Sequence, residues 1–243
     1  VKVLNDGGGI YFDNSNGGVV QDNIVSDVDG NLESTALNYF ARWYMGHGIF
    51  FGNGSTSNVM IRRNTVTRCN GSGIFVDHTI SSTGFQVRDN VLFNNRAQLS
   101  ITDFSNNVGP GATPPYHVPS FNDIYSGNIM YSLYPEQYCM EQFNNYSANH
   151  VDYGTFTNNK YFNPYNELSI RLSNTVQYNQ RFWSLERWQS VYNEDAGSTR
   201  SPQRLEQLEV LSTLTANLVP NGNFTSNIAS WYGWPAQGQV AHD

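Results

Sequence analysis

Three carboxylates sit at the same place or one place apart in related phrases of the chain. "GSGIFVDH" ends on Asp77 and His78, "AQLSITDF" carries Asp103, and "EQYCMEQF" carries Glu141. Two acids held about 5 to 9.5 Å apart can divide the work of glycoside hydrolysis: one protonates the leaving oxygen and the other acts as base or nucleophile. His78, beside Asp77, is placed to tune or relay protons. Asp13 holds the equivalent position in an earlier phrase, "GGGIYFDN". Two residues before these acids comes an aromatic column, Tyr11, Phe50 and Phe75, whose rings suit the apolar faces of sugars. Catalysis is therefore expected from Asp77, Asp103, Glu141 and His78, with Tyr11, Phe50, Phe75 and Asp13 binding substrate. The competing reading makes the aromatics a ladder that stabilises stacked strands, and the acids turn formers.

Arginines offer a different chemistry. Arg62 in "MIRRNTV" and Arg88 in "FQVRDNV" align, with Arg63 and Arg96 nearby, whereas lysine is confined to Lys2 and Lys160. The competing reading is that both arginines are solvated on the surface.

The elements that must hold these residues repeat. "GGGIYFDN", "GHGIFFGN" and "GSGIFVDH" are one phrase, and a second phrase follows: "VVQDNIV", "MIRRNTV", "FQVRDNV", "DIYSGNI", "TFTNNKY". Gly48, Gly73 and Gln98 are spaced at one coil of about 25 residues, with insertions at 27–45 and 105–120. Short strands in so brief a repeat bury no core alone; stacked coils do. Asn23, Asn64, Asn90, Asn128 and Asn159 recur at the same turn, which predicts a ladder of side-chain amides with no catalytic part.

"GIFVDHTISSTGFQVRDNVLFNN" resembles the right-handed parallel β-helix repeats of the pectate-lyase-like superfamily, over roughly Gly7 to Pro164. The resemblance implies an all-β solenoid and a polysaccharide or other glycan as partner. The carboxylate column, with the trailing fragment described below, points to a glycoside hydrolase first. A lyase of the same architecture is the alternative, with Arg62 and Arg88 as proton-abstracting and carboxylate-binding groups and Ca²⁺ held by Asp77, Asp103 and Glu141. No cofactor is required by the hydrolase reading, and no compact calcium loop is seen. A non-catalytic surface or adhesin protein is the third reading.

After Pro164 the character changes. "RFWSLERWQSVYNEDAGSTRSP" predicts a helix over 184–192 with Ser184 as N-cap, and resembles the closing segment of β-helix carbohydrate enzymes. It is expected to cap the solenoid through residue 203 and protect its strand edges, with Trp183 and Trp188 in the core. Residues 204–216 read as a linker. The segment 217–243, "NLVPNGNFTSNIASWYGWP" within it, resembles the first strand of a β-sandwich carbohydrate-binding module and is too short to fold as one. The opening inside a repeat, "VKVLNDGGGIYF", reads as a processed or truncated start. The Pro-rich loop 108–120, with His117, is expected to wall a groove or merely to decorate the surface.

Composition narrows the partners. Formal net charge is -7 with only 13 Lys and Arg, which speaks against nucleic acid and anionic membrane surfaces. No apolar run reaches the roughly 18 residues of a membrane span. Glycine loops for phosphate, a Gly-x-Ser-x-Gly elbow and zinc motifs are absent. Cys69 and Cys139 make no disulfide framework. A secreted or cell-surface location is expected from the substrate class; oligomeric state is not legible.

Overall fold

The computed structural model describes residues 7–13, 15–30, 46–52, 56–77, 84–105, 117–118, 121–174, 176–177 and 179–200. Within them the repeated phrases form three parallel sheets. The first phrase supplies the first sheet: Gly8–Asp13, His47–Gly52, Ser72–Asp77, Ala97–Thr102, Tyr138–Asn144 and Ile170–Asn174, in that spatial order. The second phrase supplies the other two, split at its asparagine. Asn16–Gln21, Ser57–Arg62, Gln86–Arg88, Asp123–Ser126 and Gly154–Thr157 form the second sheet, and Ile24–Val28, Thr65–Cys69, Val91–Phe93, Ile129–Tyr131 and Lys160–Phe162 the third. Each strand pairs with its counterpart in the next coil, so the fold is an all-β parallel β-helix of stacked coils.

Ile10, Ile49, Ile74, Leu99, Met140 and Ile170 stack in one inward column, and Phe12, Phe51, Val76, Ile101, Gln142 and Leu172 in another. Val20, Ile61, Val87, Tyr125 and Phe156 from the second sheet meet Val25, Val66, Leu92, Met130 and Tyr161 from the third in the same core. The residue before the first inward column also faces inward. A Cβ at Gly48 would strike Val66 Cγ1 and the Gly73 carbonyl, 2.6 Å away. Glycine therefore opens the phrase because the wall bends there and the neighbouring strand lies close. Cys139, at this position three coils later, is buried in the core as a free thiol, as is Cys69. Alignment of "EQYCMEQF" on the aromatic column of the earlier phrases would place Cys139 outward; the structure places it inward.

The asparagine ladder is present at the turn between the second and third sheets. Each Nδ2 donates to the Oδ1 of the next coil: Asn23 to Asn64 at 2.9 Å, Asn64 to Asn90 and Asn90 to Asn128 at 3.0 Å, Asn128 to Asn159 at 3.1 Å. The backbone N–H of each donates to the same oxygen. The residue before each asparagine turns the corner in the left-handed region, from φ 53 at Arg63 to φ 66 at Gly127. At the end of the ladder Asn159 donates to Asp195 Oδ1 at 3.2 Å and to Ser198 Oγ at 2.7 Å.

Asp195 belongs to the cap. Gln180–Trp183 pairs antiparallel with Ile170–Asn174, and Thr157↔Ala196 and Lys160↔Thr199 bridges continue the other two sheets. Between them the helix Leu185–Tyr192 has Ser184 as N-cap, accepting from the Arg187 N–H, and ends at Asn193 in the left-handed conformation. Leu185 and Trp188 are buried against the solenoid core and Trp183 packs beside them. The chain divides into units 1–203 and 204–243. The expected linker and sandwich-like segment lie outside the described residues. So does most of the Pro-rich loop, of which His117–Val118 folds back antiparallel on Phe104–Ser105.

Candidate functional site

Tyr11, Phe50, Phe75, Asp13, Asp77 and Glu141 fall on the outward columns of the first sheet, and Asp103 follows directly after the strand Ala97–Thr102. The middle outward column runs Tyr11, Phe50, Phe75, Ser100, Glu141, Arg171. The next runs Asp13, Gly52 in one pair and Asp77, Thr102, Phe143, Ser173 across the others. Glu141 therefore sits in the aromatic column and not below Asp77, which corrects the register read from sequence. The slip is two residues: Ala97, and not Leu99, pairs with Tyr138. A slip of two leaves every side chain on its own face, so the alternation could not reveal it.

Exposure also differs from expectation. Tyr11 is 45% exposed, but Phe50 and Phe75 are buried, at 2% and 4%. Buried His47 stacks on Phe75 with centroids 4.5 Å apart, and its Nδ1 accepts the Ser72 N–H at 3.0 Å. Phe50 and Phe75 contact each other at 5.2 Å, and Tyr11 meets Phe50 at 4.9 Å. The column is a stacked ladder whose accessible member is Tyr11.

Glu141 lies between two guanidiniums, at 2.8 Å from Arg96 and 2.9 Å from Arg171. Ser100 Oγ donates to it at 3.4 Å, and Ser72 donates to Ser100 at 2.7 Å. Burial pushes the Glu141 carboxyl up, but Arg96, Arg171 and the hydrogen bonds outweigh it and hold it below the usual range. It is a fixed anion in a neutralising cage. Arg171 was missed because "SIRLSN" is a degenerate copy of the first phrase; its Ile170-x-Leu172 alternation after Ser169 is the signal that matches "LSITDF".

Asp77 and Asp103 lie on successive coils, since Asp77 pairs with Thr102. Coils stack about 4.8 Å apart. Asp77 is partly exposed and Asp103 is buried. Asp103 Oδ1 accepts the Asn145 N–H at 2.6 Å, and Asn145 Nδ2 returns to Thr102 Oγ1 at 3.0 Å. Beneath them Tyr153 is buried, with its hydroxyl donating to Asn144 Oδ1 at 2.6 Å. That phenol is held well above its usual pKa by burial first, then by the charges of Asp103 and Asp77. His78 lies outside the described residues.

Arg62 and Arg88 do pair in register, in the second sheet. Arg62 gives both Nε and Nη2 to Gln21 Oε1, at 3.0 and 2.8 Å. They occupy a different sheet from the acids. Among the described residues no group of three or more His, Cys, Asp or Glu could hold a metal ion, so Asp77, Asp103 and Glu141 do not gather as the Ca²⁺ ligand set considered above.

The family model for a right-handed β-helix region matches residues 3–109. This agrees with the architecture and supplies its hand. No curated protein and no solved structure matches the chain. No helix among the described residues is long and apolar enough to cross a membrane.

Proposed function

We propose that this protein is a secreted, carbohydrate-active β-helix protein that hydrolyses a polysaccharide, with Asp77 and Asp103 as its paired carboxylates. The observation that carries the reading is their placement on successive coils, with Asp77 in register with Thr102 and Asp103 next along the chain. Their backbones lie about 5–6 Å apart, so the carboxyls can fall within the roughly 5 to 9.5 Å used for glycoside hydrolysis. Asn145 fixes Asp103, while partly exposed Asp77 is open to a substrate. Glu141 serves as a positioning residue: an anion held between Arg96 and Arg171 is a poor proton donor, and it keeps those cations from the carboxylate pair. Tyr11 is the accessible ring for a sugar face, and Asp13 lies in the next column beside it. The trailing resemblance to a carbohydrate-binding module supports the same substrate class.

The in-register Arg62 and Arg88 pair favours a second reading, a polysaccharide lyase acting from the second sheet. The burial of Phe50 and Phe75 favours a third, a structural or glycan-binding solenoid without catalysis. A panel of neutral and acidic polysaccharides, assayed together for reducing ends and ultraviolet absorbance, separates them. The hydrolase reading predicts reducing ends without absorbance. Both signals together point to the lyase, and silence across the panel to the non-catalytic protein.

A further inference from the structure

A cleft of about 440 Å³ lies where the third sheet turns into the first, away from the Asp77 and Asp103 face. Its size is within the roughly 300 to 1,000 Å³ of small-ligand sites. Successive coils line it: Asp27 and Asp29, then Arg68, then Arg96, then Glu136 and Gln137. It therefore runs along the stack across four coils, about 14 Å at the coil spacing.

The charges in it are largely committed. Arg68 is bound bidentately by Asp27, at 2.7 and 2.6 Å. Arg96 is engaged by Glu141 from outside the cleft. Three lining carboxylates face two guanidiniums, so the surface disfavours an anionic ligand. Carboxylates, guanidiniums and amides side by side are the donors and acceptors that hydroxyl groups require.

A second observation extends the cleft. Tyr134 and Tyr165 stand 53% and 70% exposed on neighbouring turns at its Glu136 and Gln137 end. Neither ring stacks on another among the described residues. Their turns are braced. Asn163 Nδ2 donates to the carbonyls of Tyr134 at 3.1 Å and Gln137 at 3.0 Å, while its Oδ1 accepts the Tyr165 N–H at 3.0 Å. Gln137 Nε2 in turn donates to Asn94 Oδ1 in the cleft wall at 3.0 Å. Two exposed aromatics on rigid turns, joined to a polar cleft, make a platform whose ordering cost is already met by the fold.

We propose that this cleft and the two tyrosines form a second glycan-binding surface, which holds a linear, uncharged oligosaccharide along the stack axis. It extends the carbohydrate reading to a surface without the proposed catalytic residues. The test is titration calorimetry on the whole chain with neutral hexasaccharides (gluco, manno, xylo and galacto series) and hexagalacturonate. Three proteins are compared: wild type, Tyr134→Ala/Tyr165→Ala, and Asp77→Asn/Asp103→Asn. At least one neutral hexasaccharide should bind wild type at least tenfold tighter than hexagalacturonate. The tyrosine variant should lose about tenfold or more, and the aspartate variant should keep its affinity. Exposed tyrosines leave folding intact, which circular dichroism verifies. The proposal is overturned if no neutral hexasaccharide binds, if the uronate binds as tightly, or if the tyrosine variant keeps full affinity. Loss of turnover with retained binding in the aspartate variant would leave both proposals standing, and each can fail without the other.

Discussion

Glu141 shows how a residue's neighbours set its use. Replacing it by Gln withdraws the charge that Arg96 and Arg171 share, a loss of about 3–5 kcal/mol for a buried ion pair. The pH dependence has a definite sign. Its folded pKa is lowered, so its stabilisation is present above the unfolded carboxyl value of about 4.3 and is lost as pH falls through the folded value. Urea denaturation at pH 7 should show the full deficit of Glu141→Gln, and the gap should narrow as pH falls below the unfolded carboxyl value. An undiminished gap at pH 3 would mean that packing, and not charge, carries the effect. Asp195 runs the other way. Burial raises its carboxyl despite hydrogen bonds from Ser198, Tyr161 and Asn159. Its charge therefore opposes stability as pH rises from the unfolded value of about 3.9 through the folded one.

At the scale of elements, the ladder and the glycine column are the parts that sequence displayed best. Asn90 is fully buried, accepts from Asn64 and donates to the Ile61 carbonyl and Asn128. Asn90→Ala strands several buried partners at about 1–3 kcal/mol each, so its melting temperature should fall well below that of Asn23→Ala at the solvated start of the ladder. Gly48→Ala forces a methyl against Val66 and the Gly73 carbonyl and should cost about 1–3 kcal/mol by overpacking. Equal melting of Asn90→Ala and Asn23→Ala would show that the ladder is incidental. What sequence did not display has a physical cause. The second glycine-phase column breaks strict alternation, which hid the inward turn of Cys139. A slip of two residues preserves faces, so Glu141 was placed under the wrong neighbours. In the true register Gln142 falls in the apolar column between Ile101 and Leu172, with no hydrogen-bond partner for its buried amide among the described residues. The repeat pattern calls for an apolar side chain there, and the amide conceals the match.

For the whole molecule, the solenoid presents several outward faces, and residue type alone does not say which faces are open. Phe50 and Phe75 looked like a sugar platform by pattern and are buried, whereas Tyr134 and Tyr165, outside any repeated phrase position, are exposed. The fold was legible because its repeat is periodic and local. The site was only partly legible because it depends on the insertions and on register between coils. The cap closes the end of the stack by pairing all three sheets and burying Trp188. Trp188→Ala should cost about 3–5 kcal/mol and expose the last coil to proteolysis; cleavage confined to other regions would contradict the capping role.

Asp77 and Asp103 are proposed to work as a pair. The most direct measurement is the release of reducing ends from the polysaccharide that wild type degrades, by Asp77→Asn and Asp103→Asn separately, with folding confirmed by circular dichroism. Each variant should lose at least about a hundredfold in rate, the scale of a lost general acid or base. Turnover within a few-fold of wild type in both variants would contradict the account and remove the hydrolytic site from this face.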